Sequence, residues 1–218
     1  MKKIDFKGLI AVCIFCLLPI LVGVWQYNAL PEQMAIHFDI NNNPDNYFHK
    51  AVFVFGFPLF AVLLEVFCSV VIDLTDKYKD ANKKVMTIFK WVFAAVLNVM
   101  YVITIIYNLG TALDIRVWVM LIVGMMFVVI GNYIPKTVGS TKWPQRNFTE
   151  NVLKRINRIA GYVTIFYGLL LMLSVFFVQL ISFLVIGMYI IFIIALMFYG
   201  VALDKKERAK QKTEKNNK

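Results

Sequence analysis

The sequence predicts an all-α membrane protein, a polytopic transmembrane bundle of six membrane-spanning helices with both termini in the cytosol. Sixty per cent of the 218 residues are hydrophobic and only 17% are charged, and the mean hydropathy is +0.70. A soluble domain of this length could not cover so much apolar surface with polar side chains. Apolar runs of about 20 residues recur, and a helix of that length crosses a hydrocarbon core of roughly 30 Å. The runs are continuous rather than alternating, which excludes a transmembrane barrel.

Six spans account for the apolar runs. Four of them are Gly8–Tyr27, Ala51–Ile72, Trp91–Leu109 and Val117–Ile134. We expect the first to be retained rather than cleaved as a signal peptide, and Pro58 to kink the second. No charged residue occurs in the 45 residues from Ile159 to Leu203. A single helix of that length would extend about 68 Å, so two helices that turn near Gln179–Ser182 are expected.

The basic residues predict the orientation of these spans. Twenty-one of the 23 lysines and arginines lie in residues 1–7, 73–90, 135–158 and 204–218. Only Lys50 and Arg116 lie in the segments on the other side. The positive-inside rule therefore places both termini in the cytosol and Leu30–Lys50 outside. The net charge of +10 collects beside the spans, where it contacts lipid headgroups, so nucleic-acid binding is not expected.

Three regions follow from this layout. Residues 1–72 form an N-terminal membrane domain of two helices with an outward loop over residues 28–50. Residues 73–203 form a four-helix membrane region, and the lysine-rich residues 204–218 are predicted to be a disordered cytosolic tail.

The outward loop has the composition of a structured segment. Met34–Ile40 contains residues suited to a strand, and Asn41–Asp45 is rich in turn-forming residues. A strand that turns back on itself is therefore predicted. Four potential metal ligands lie here, His37, Asp39, Asp45 and His49. Their spacing matches no specific metal site, and hydrogen bonding within the loop is favoured.

Two polar residues lie deep in the spans at nearly the same depth. Glu65 lies roughly 10 Å from the cytosolic boundary, and Asn98 begins a face of the third span that continues through Tyr101 and Asn108. We expect an interhelical hydrogen bond between a protonated Glu65 and Asn98, and the alternative is a proton or ion relay. Small residues on the fourth and fifth spans predict close helix packing, namely Gly124, Gly131, Gly161, Thr164 and Gly168.

The sequence is not expected to hold a catalytic centre or a cofactor site. Cys13 and Cys16 form a C-x-x-C pair, but no further ligands accompany them and apolar packing is favoured. No H-E-x-x-H, G-x-S-x-G or P-loop pattern occurs. The sequence therefore predicts a non-enzymatic protein without a metal or cofactor.

Several residues of the outward loop carry a resemblance. Leu30-Pro31, His37-Phe38, Pro44-Asp45 and Lys50 resemble the L-P…H-F…G-x-P-D…K signature of a bacterial membrane domain, the domain of unknown function 1648. That domain forms the N-terminal part of SdpI-like immunity proteins. Asn42 stands near the family's glycine, and asparagine also tolerates a positive φ.

A second resemblance begins at the end of the fourth span. Gly131, Asn132, Tyr133, Pro135 and Lys136 look like the G-N-y-x-p-K start of the SdpI C-terminal domain. Downstream, Thr141–Pro144 and Lys154–Arg158 match that domain only in part, because its histidine, its first tryptophan and the arginine of its G-I-R motif are absent.

The resemblance implies a multi-pass protein of the bacterial plasma membrane of the SdpI-like type, and the leading hypothesis is that it protects against a membrane-active peptide or signals its presence. Implied partners are the lipid bilayer, an extracellular antimicrobial peptide and a cytosolic regulatory protein. The expected recognition residues are Pro31, His37, Phe38, Asp39, Pro44, Asp45 and Lys50. The alternative is a small ion-coupled transporter that uses Glu65 and Asn98, although no broken-helix pair or internal repeat is visible.

The orientation can be tested with single cysteines at Asn42 and Asp80 in a chain otherwise lacking cysteine. An impermeant thiol reagent applied to intact cells should label the cysteine at Asn42 and leave that at Asp80 unlabelled. Labelling of both positions, or of Asp80 alone, would contradict six spans with a cytosolic N-terminus.

Overall fold

The computed structural model describes residues 4–75, 83–136, 148–177 and 179–216. It is 80% helical, and six of its helical segments are long and apolar enough to cross a membrane. The predicted all-α fold with six spans is therefore confirmed, and the chain is a multi-pass membrane protein. The elements are α1 (Phe6–Leu17), α2 (Ile20–Gln26), β1 (Gln33–Phe38), β2 (Pro44–His49), a π-helical turn (Val52–Gly56), α3 (Phe57–Thr75), α4 (Lys83–Asn108), α5 (Ile115–Tyr133), a 3-10 turn (Ile134–Lys136), α6 (Glu150–Ser174) and α7 (Gln179–Asn216).

Three helices extend beyond the predicted spans. Helices α4 and α6 begin within segments that we assigned to loops, and Gln179–Ser182 forms the first turn of α7 rather than the predicted turn between helices. The predicted disorder of the tail is wrong as far as Asn216, because α7 continues through it. An ion pair at helical spacing supports this extension, since Arg208 Nε donates to Asp204 Oδ2 at 2.6 Å.

The chain divides into two compact units. The first comprises residues 4–75 and 86–119, and the second comprises the remaining described residues. The division falls within α4 and α5, whereas the predicted boundary between family domains lies at residues 72/73. Helix α4 thus packs mainly with the N-terminal helices, through clusters of buried side chains. One cluster contains Leu30, Met34, Phe53, Val54, Tyr101 and Ile105, and another contains Val12, Cys16, Ala61 and Ala94.

Pro19 separates α1 from α2. Proline has no amide hydrogen, so it cannot donate to the carbonyl four residues earlier, Phe15 O. In the first unit this carbonyl accepts a hydrogen bond from Asn98 Nδ2 on α4 at 2.8 Å, in addition to a turn hydrogen bond from Leu18 N at 3.3 Å. The Asn98 side chain on α4 therefore replaces the missing backbone donor.

Pro58 likewise leaves a backbone carbonyl without its amide donor, at the start of α3. The kink predicted there is the π-helical turn. The carbonyl four residues earlier is Val54 O, and it accepts from the hydroxyl of Tyr101 at 3.1 Å. The Tyr101 ring stacks on Phe53 with an interplanar angle of 8°. Glycine at position 23 leaves room for this hydroxyl, because a Cβ there would lie 1.9 Å from it.

The Glu65–Asn98 hydrogen bond predicted from the sequence is wrong. Asn98 donates to Phe15 O instead, and Glu65 Oε1 accepts from Ser69 Oγ on its own helix at 2.8 Å. Equal depth in the membrane does not determine which way a side chain faces around its helix axis. The Asn98 amide donates instead to Phe15 O, the carbonyl that Pro19 leaves without an amide donor.

The ends of α1, α3 and α4 are joined by charged groups. Lys90 Nζ lies 2.7 Å from Asp73 Oδ1, and the two side chains are 8% and 15% exposed. The backbone N–H of Asp5 donates to the other Asp73 oxygen at 3.3 Å. These groups lie at the opposite end of α3 from the π-helical turn.

The second unit confirms the predicted close packing of small residues. A Cβ on Gly124 would lie 2.7 Å from Gly168 O, and one on Gly131 would lie 2.8 Å from Gly161 O. Only glycine permits α5 and α6 to approach so closely. Thr164 Oγ1 lies 3.0 Å from the hydroxyl of Tyr189, which links α6 to α7.

Candidate functional site

The predicted outward loop is a β-hairpin attached to one end of the first unit. Strands β1 and β2 pair antiparallel, with Gln33 opposite His49 and Phe38 opposite Pro44. The register shifts on either side of His37, as in a β-bulge, which re-aims side chains locally. The predicted strand that turns back on itself is thus confirmed.

The turn is built around the carboxylate of Asp39. Its Oδ1 accepts from the backbone N–H groups of Asn41 and Asn43, both at 2.8 Å, and its Oδ2 accepts from Asn43 Nδ2 at 3.2 Å. Asn42 takes a φ of 66°, the left-handed conformation that asparagine tolerates. These backbone donors, chiefly that of Asn43, lower the pKa of the Asp39 carboxyl.

The side chain of Asn42 fixes this turn to the connection between α4 and α5. Asn42 Nδ2 donates to Leu113 O at 3.1 Å, and Asn42 Oδ1 accepts from Ile115 N at 2.9 Å. Arg116 Nη1 donates to Ile40 O at 3.0 Å. Its guanidinium also holds Asp114, with Nη2 at 2.6 Å from Oδ2. Hydrogen bonding to Arg116 lowers the pKa of the Asp114 carboxyl.

The last residue of α4 pairs with strand β1. Asn108 Oδ1 accepts from Ala35 N at 2.8 Å, and Asn108 Nδ2 donates to Ala35 O at 2.9 Å. The side-chain amide thus forms the two hydrogen bonds that a neighbouring strand would form. Beside it, the rings of Phe38 and Tyr107 pack edge to face with centroids 4.6 Å apart, and the Met34 side chain is fully buried in the core.

The base of the hairpin is closed by Lys50. Its ammonium lies 2.9 Å from Glu32 Oε1 and 4.9 Å from the centre of the Tyr27 ring, and its side chain is only 12% exposed. The hydrogen bond from Lys50 lowers the pKa of the Glu32 carboxyl. His49 Nδ1 accepts from Ala51 N, and Nε2 lies 3.2 Å from Glu32 Oε2. The tautomer with its hydrogen on Nε2 satisfies both contacts.

A second histidine–carboxylate pair lies on the open part of the hairpin. His37 Nδ1 and Asp45 Oδ1 are 2.5 Å apart, and their side chains are 67% and 46% exposed. The two histidines therefore contact different carboxylates. Among the described residues, no three of His, Cys, Asp and Glu come together in an arrangement that could hold a metal ion.

Strand β2 is the exposed part of the hairpin. Five of its six residues are exposed, and Tyr47 and Phe48 present large apolar side chains. Because both backbone groups of Ala35 point to Asn108, its partner Tyr47 must direct its own N–H and C=O to the opposite, open edge. The Tyr47 N–H is covered there by Asn46 Oδ1 at 2.8 Å. The described residues place no strand beside this edge.

The structure brings most of the predicted recognition residues together on the hairpin, and it adds others. Pro31 lies exposed just before β1, and Lys50 follows β2. The residues that sequence reasoning left out of the site are Glu32, Asn42, Tyr47, His49, Asn108, Asp114 and Arg116. Asn42 carried a signal as the counterpart of the family's glycine, and Asn108 carried one as the end of the polar face on α4. Arg116 and Ile40 are distant in sequence, so no local sequence pattern predicts their contact.

The predicted cytosolic motif lies in the second unit and packs against α6. Gly131 and Pro135 both contact the region of Gly161, where an added Cβ would lie 2.5 Å from Pro135 Cγ. Asn132 Oδ1 accepts from Lys136 Nζ at 3.5 Å, and this ammonium lies 4.4 Å from the centre of the Tyr133 ring. Thr141–Pro144 lies outside the described residues.

Acid should loosen the turn of the hairpin. The pKa of Asp39 is lower in the folded chain than in the unfolded one, where it is about 3.9. Its stabilising effect is therefore complete above that value and is lost as the pH falls through the folded pKa. Hydrogen exchange at Asn41 and Asn43, corrected for the intrinsic pH dependence, should show constant protection from pH 7 to 5 and a loss below about pH 4. In an Asp39→Asn control this loss should disappear, and an identical acid loss in both proteins would contradict the assignment.

Residues 14–62, which include the whole hairpin, match the family model described as a domain of unknown function, DUF1648, a domain found in membrane proteins. No curated protein and no solved structure matches the chain. The match supports the first of the two resemblances. This chain is therefore an integral membrane protein that contains a segment similar to DUF1648.

Proposed function

We propose that this chain is a non-enzymatic protein of a bacterial plasma membrane that recognises an extended, membrane-active peptide through its hairpin. The activity is of the SdpI-like type, in which recognition protects the cell or signals that the peptide is present. The observation that carries the proposal is the open edge of β2 on a hairpin fixed at the end of membrane-spanning helices.

An open strand edge is a binding surface for an extended peptide. Its unpaired N–H and C=O groups are ready to pair with another chain, and added strands obtain affinity from such backbone hydrogen bonds. Here Tyr47 directs both of its backbone groups to the edge, and the Asn46 side chain covers the N–H in the free protein. A peptide strand would displace Asn46, while the exposed rings of Tyr47 and Phe48 would contact its side chains.

The hairpin is held in one position before any peptide arrives. Asn42, Arg116 and Asn108 join its turn and its inner strand to α4 and α5. A rigid site binds more tightly because less conformational entropy is lost on binding. Exposed apolar side chains on the adjacent helix end, including Trp25, suit the membrane interface, where an amphipathic peptide would lie.

A signalling role would need a second contact, with a cytosolic regulatory protein. The segment predicted to face the cytosol between α5 and α6 is the candidate for it. The motif Gly131–Lys136 at its start is engaged in packing on α6, so the partner would meet residues beyond this motif.

The hairpin can be tested through its exposed ion pair. In a strain deleted for the protein and challenged with a panel of membrane-active peptides and bacteriocins, the parent chain should restore resistance. His37→Ala and Asp45→Ala should abolish protection while leaving membrane insertion intact, because neither residue contacts a span. Glu150→Ala is the control, since it removes an exposed ion pair, that with Lys154, from the second unit and should leave protection intact.

A loss of protection in these variants has two explanations, which limited proteolysis separates. If the variants lose a peptide contact, limited proteolysis should cut the hairpin no faster than in the parent. A melted hairpin would be cut faster, and its loss of protection would then reflect about 1 kcal/mol of hydrogen bonding within the loop. Full protection by both variants would contradict recognition by the hairpin.

A second candidate function, ion-coupled transport, is favoured by one observation. The Glu65 side chain is fully buried among membrane-spanning helices, and within the described residues its Oε2 has no hydrogen-bond partner. An ionisable group in such a place often marks a proton or ion path. Asn98 no longer supports this candidate, because it binds Phe15 O.

Glu65→Gln separates transport from structure. Glutamine keeps a donor and an acceptor at similar volume but cannot titrate, so a structural Glu65 predicts normal expression, stability and protection. Ser69→Ala is the control, because it removes the hydrogen bond to Glu65 and leaves the carboxyl group in place. Loss of function in stable Glu65→Gln protein together with normal Ser69→Ala protein would favour transport.

A further inference from the structure

A cleft of about 370 Å³ lies in the second unit between the first turns of α6 and the polar end of α7. Its polar lining includes Arg155 on α6 and Lys206, Glu207 and Lys210 on α7. Clefts of this volume are large enough for a small ligand. The three cations and the single carboxylate give the lining a net positive charge, which attracts an anion.

The cations in this cleft are available to a ligand. Within the described residues, Arg155, Lys206 and Lys210 form no ion pair, whereas the nearby Lys154 is paired with Glu150 at 2.6 Å. The carboxylate of Glu207 is engaged differently, because it accepts a hydrogen bond from Thr149 Oγ1. The charge that faces the cleft is thus mainly that of lysine and arginine side chains without a carboxylate partner among the described residues. The Arg155 guanidinium lies 6.0 Å from the centre of the Tyr199 ring.

The walls of the cleft are joined to each other. Thr149 N, just before α6, donates to Asp204 Oδ1 on α7 at 2.7 Å, and the Asp204 side chain is buried. Phe148 packs against Gly200, where an added Cβ would lie 2.9 Å from the ring. The cations on the two helices are therefore held at a fixed spacing around the cleft.

The cleft lies at the boundary between the apolar and polar parts of both helices. The charge-free stretch begins directly after Arg158 on α6 and ends at Leu203 on α7. Leu203 itself lines the cleft together with Val152. Leu203 adjoins the apolar stretch of α7, whereas Val152 lies nearer the polar end of α6 than Arg155 and is buried in the core. The site thus combines cations with one apolar side chain at the membrane edge, an arrangement that suits a lipid headgroup.

We infer that this cleft binds the phosphate group of an anionic phospholipid, with the headgroup between Arg155, Lys206 and Lys210 and the acyl chains beyond Leu203. The position of Leu203 at the membrane edge favours a lipid over a free phosphate, which shares the same chemistry. This site is separate from the hairpin and does not depend on peptide recognition.

The test measures binding of fluorescent phosphatidylglycerol to the purified full-length chain in neutral detergent, with phosphatidylcholine and inorganic phosphate as competitors. The parent should prefer phosphatidylglycerol over phosphatidylcholine. Arg155→Gln/Lys206→Gln should weaken phosphatidylglycerol binding about tenfold, as expected for the loss of two solvent-exposed charge contacts. Lys154→Gln/Lys205→Gln is the matched control, because it removes the same charge from adjacent positions on the same helices, and it should weaken binding less than threefold.

Equal weakening by the two double variants would show that binding follows net charge alone and would overturn the site, as would unchanged binding by the cleft variant. Displacement of the lipid by millimolar inorganic phosphate would assign the cleft to free phosphate and overturn the lipid assignment. If the cleft variant fails to fold by circular dichroism and gel filtration, Lys210→Gln replaces it, with Lys212→Gln as its control and the same criteria.

Discussion

The first unit depends on the satisfaction of backbone groups that cannot reach water. Pro19 and Pro58 each remove an amide hydrogen from a membrane-spanning segment, and an unsatisfied carbonyl in hydrocarbon costs several kcal/mol. Helix α4 supplies both missing donors, through Asn98 and through Tyr101. Its end supplies a third polar group, the Asn108 amide, to the backbone of β1. One polar face of a single helix therefore fixes two helix breaks and the hairpin.

This arrangement explains why the site is rigid although it lies on a loop. The π-helical turn before Pro58 leads directly from the hairpin into α3, and Tyr101 holds that turn in place through Val54 O. The buried Met34 ties β1 into the same core. Only β2 is left without a covering element among the described residues, so the backbone groups available to a partner belong to it. That distribution of satisfied and open edges supports the proposed recognition of an extended peptide.

Much of the fold could be predicted from the sequence, because hydropathy and turn chemistry act locally. The length of the apolar runs predicts the six spans, and Asn41–Asp45 predicts the turn of the hairpin. The partner of Asn98 could not be predicted, since its acceptor is a backbone carbonyl freed by a distant proline. The anchoring of Ile40 by Arg116 is likewise a contact between distant segments. The helical tail was missed because polar composition alone does not distinguish a solvated helix from a disordered chain.

The most direct test of this account is a double-mutant cycle between Tyr101 and Pro58, measured as the free energy of unfolding in detergent micelles. Tyr101→Phe should cost about 1 kcal/mol in the parent, because Val54 O loses its donor. In a Pro58→Ala background it should cost no more than a few tenths of a kcal/mol, since the restored amide can donate to the same carbonyl. Tyr107→Phe, which retains the ring contact with Phe38, should have no such dependence on Pro58. An equal cost of Tyr101→Phe in both backgrounds would contradict the claim that α4 compensates for the proline.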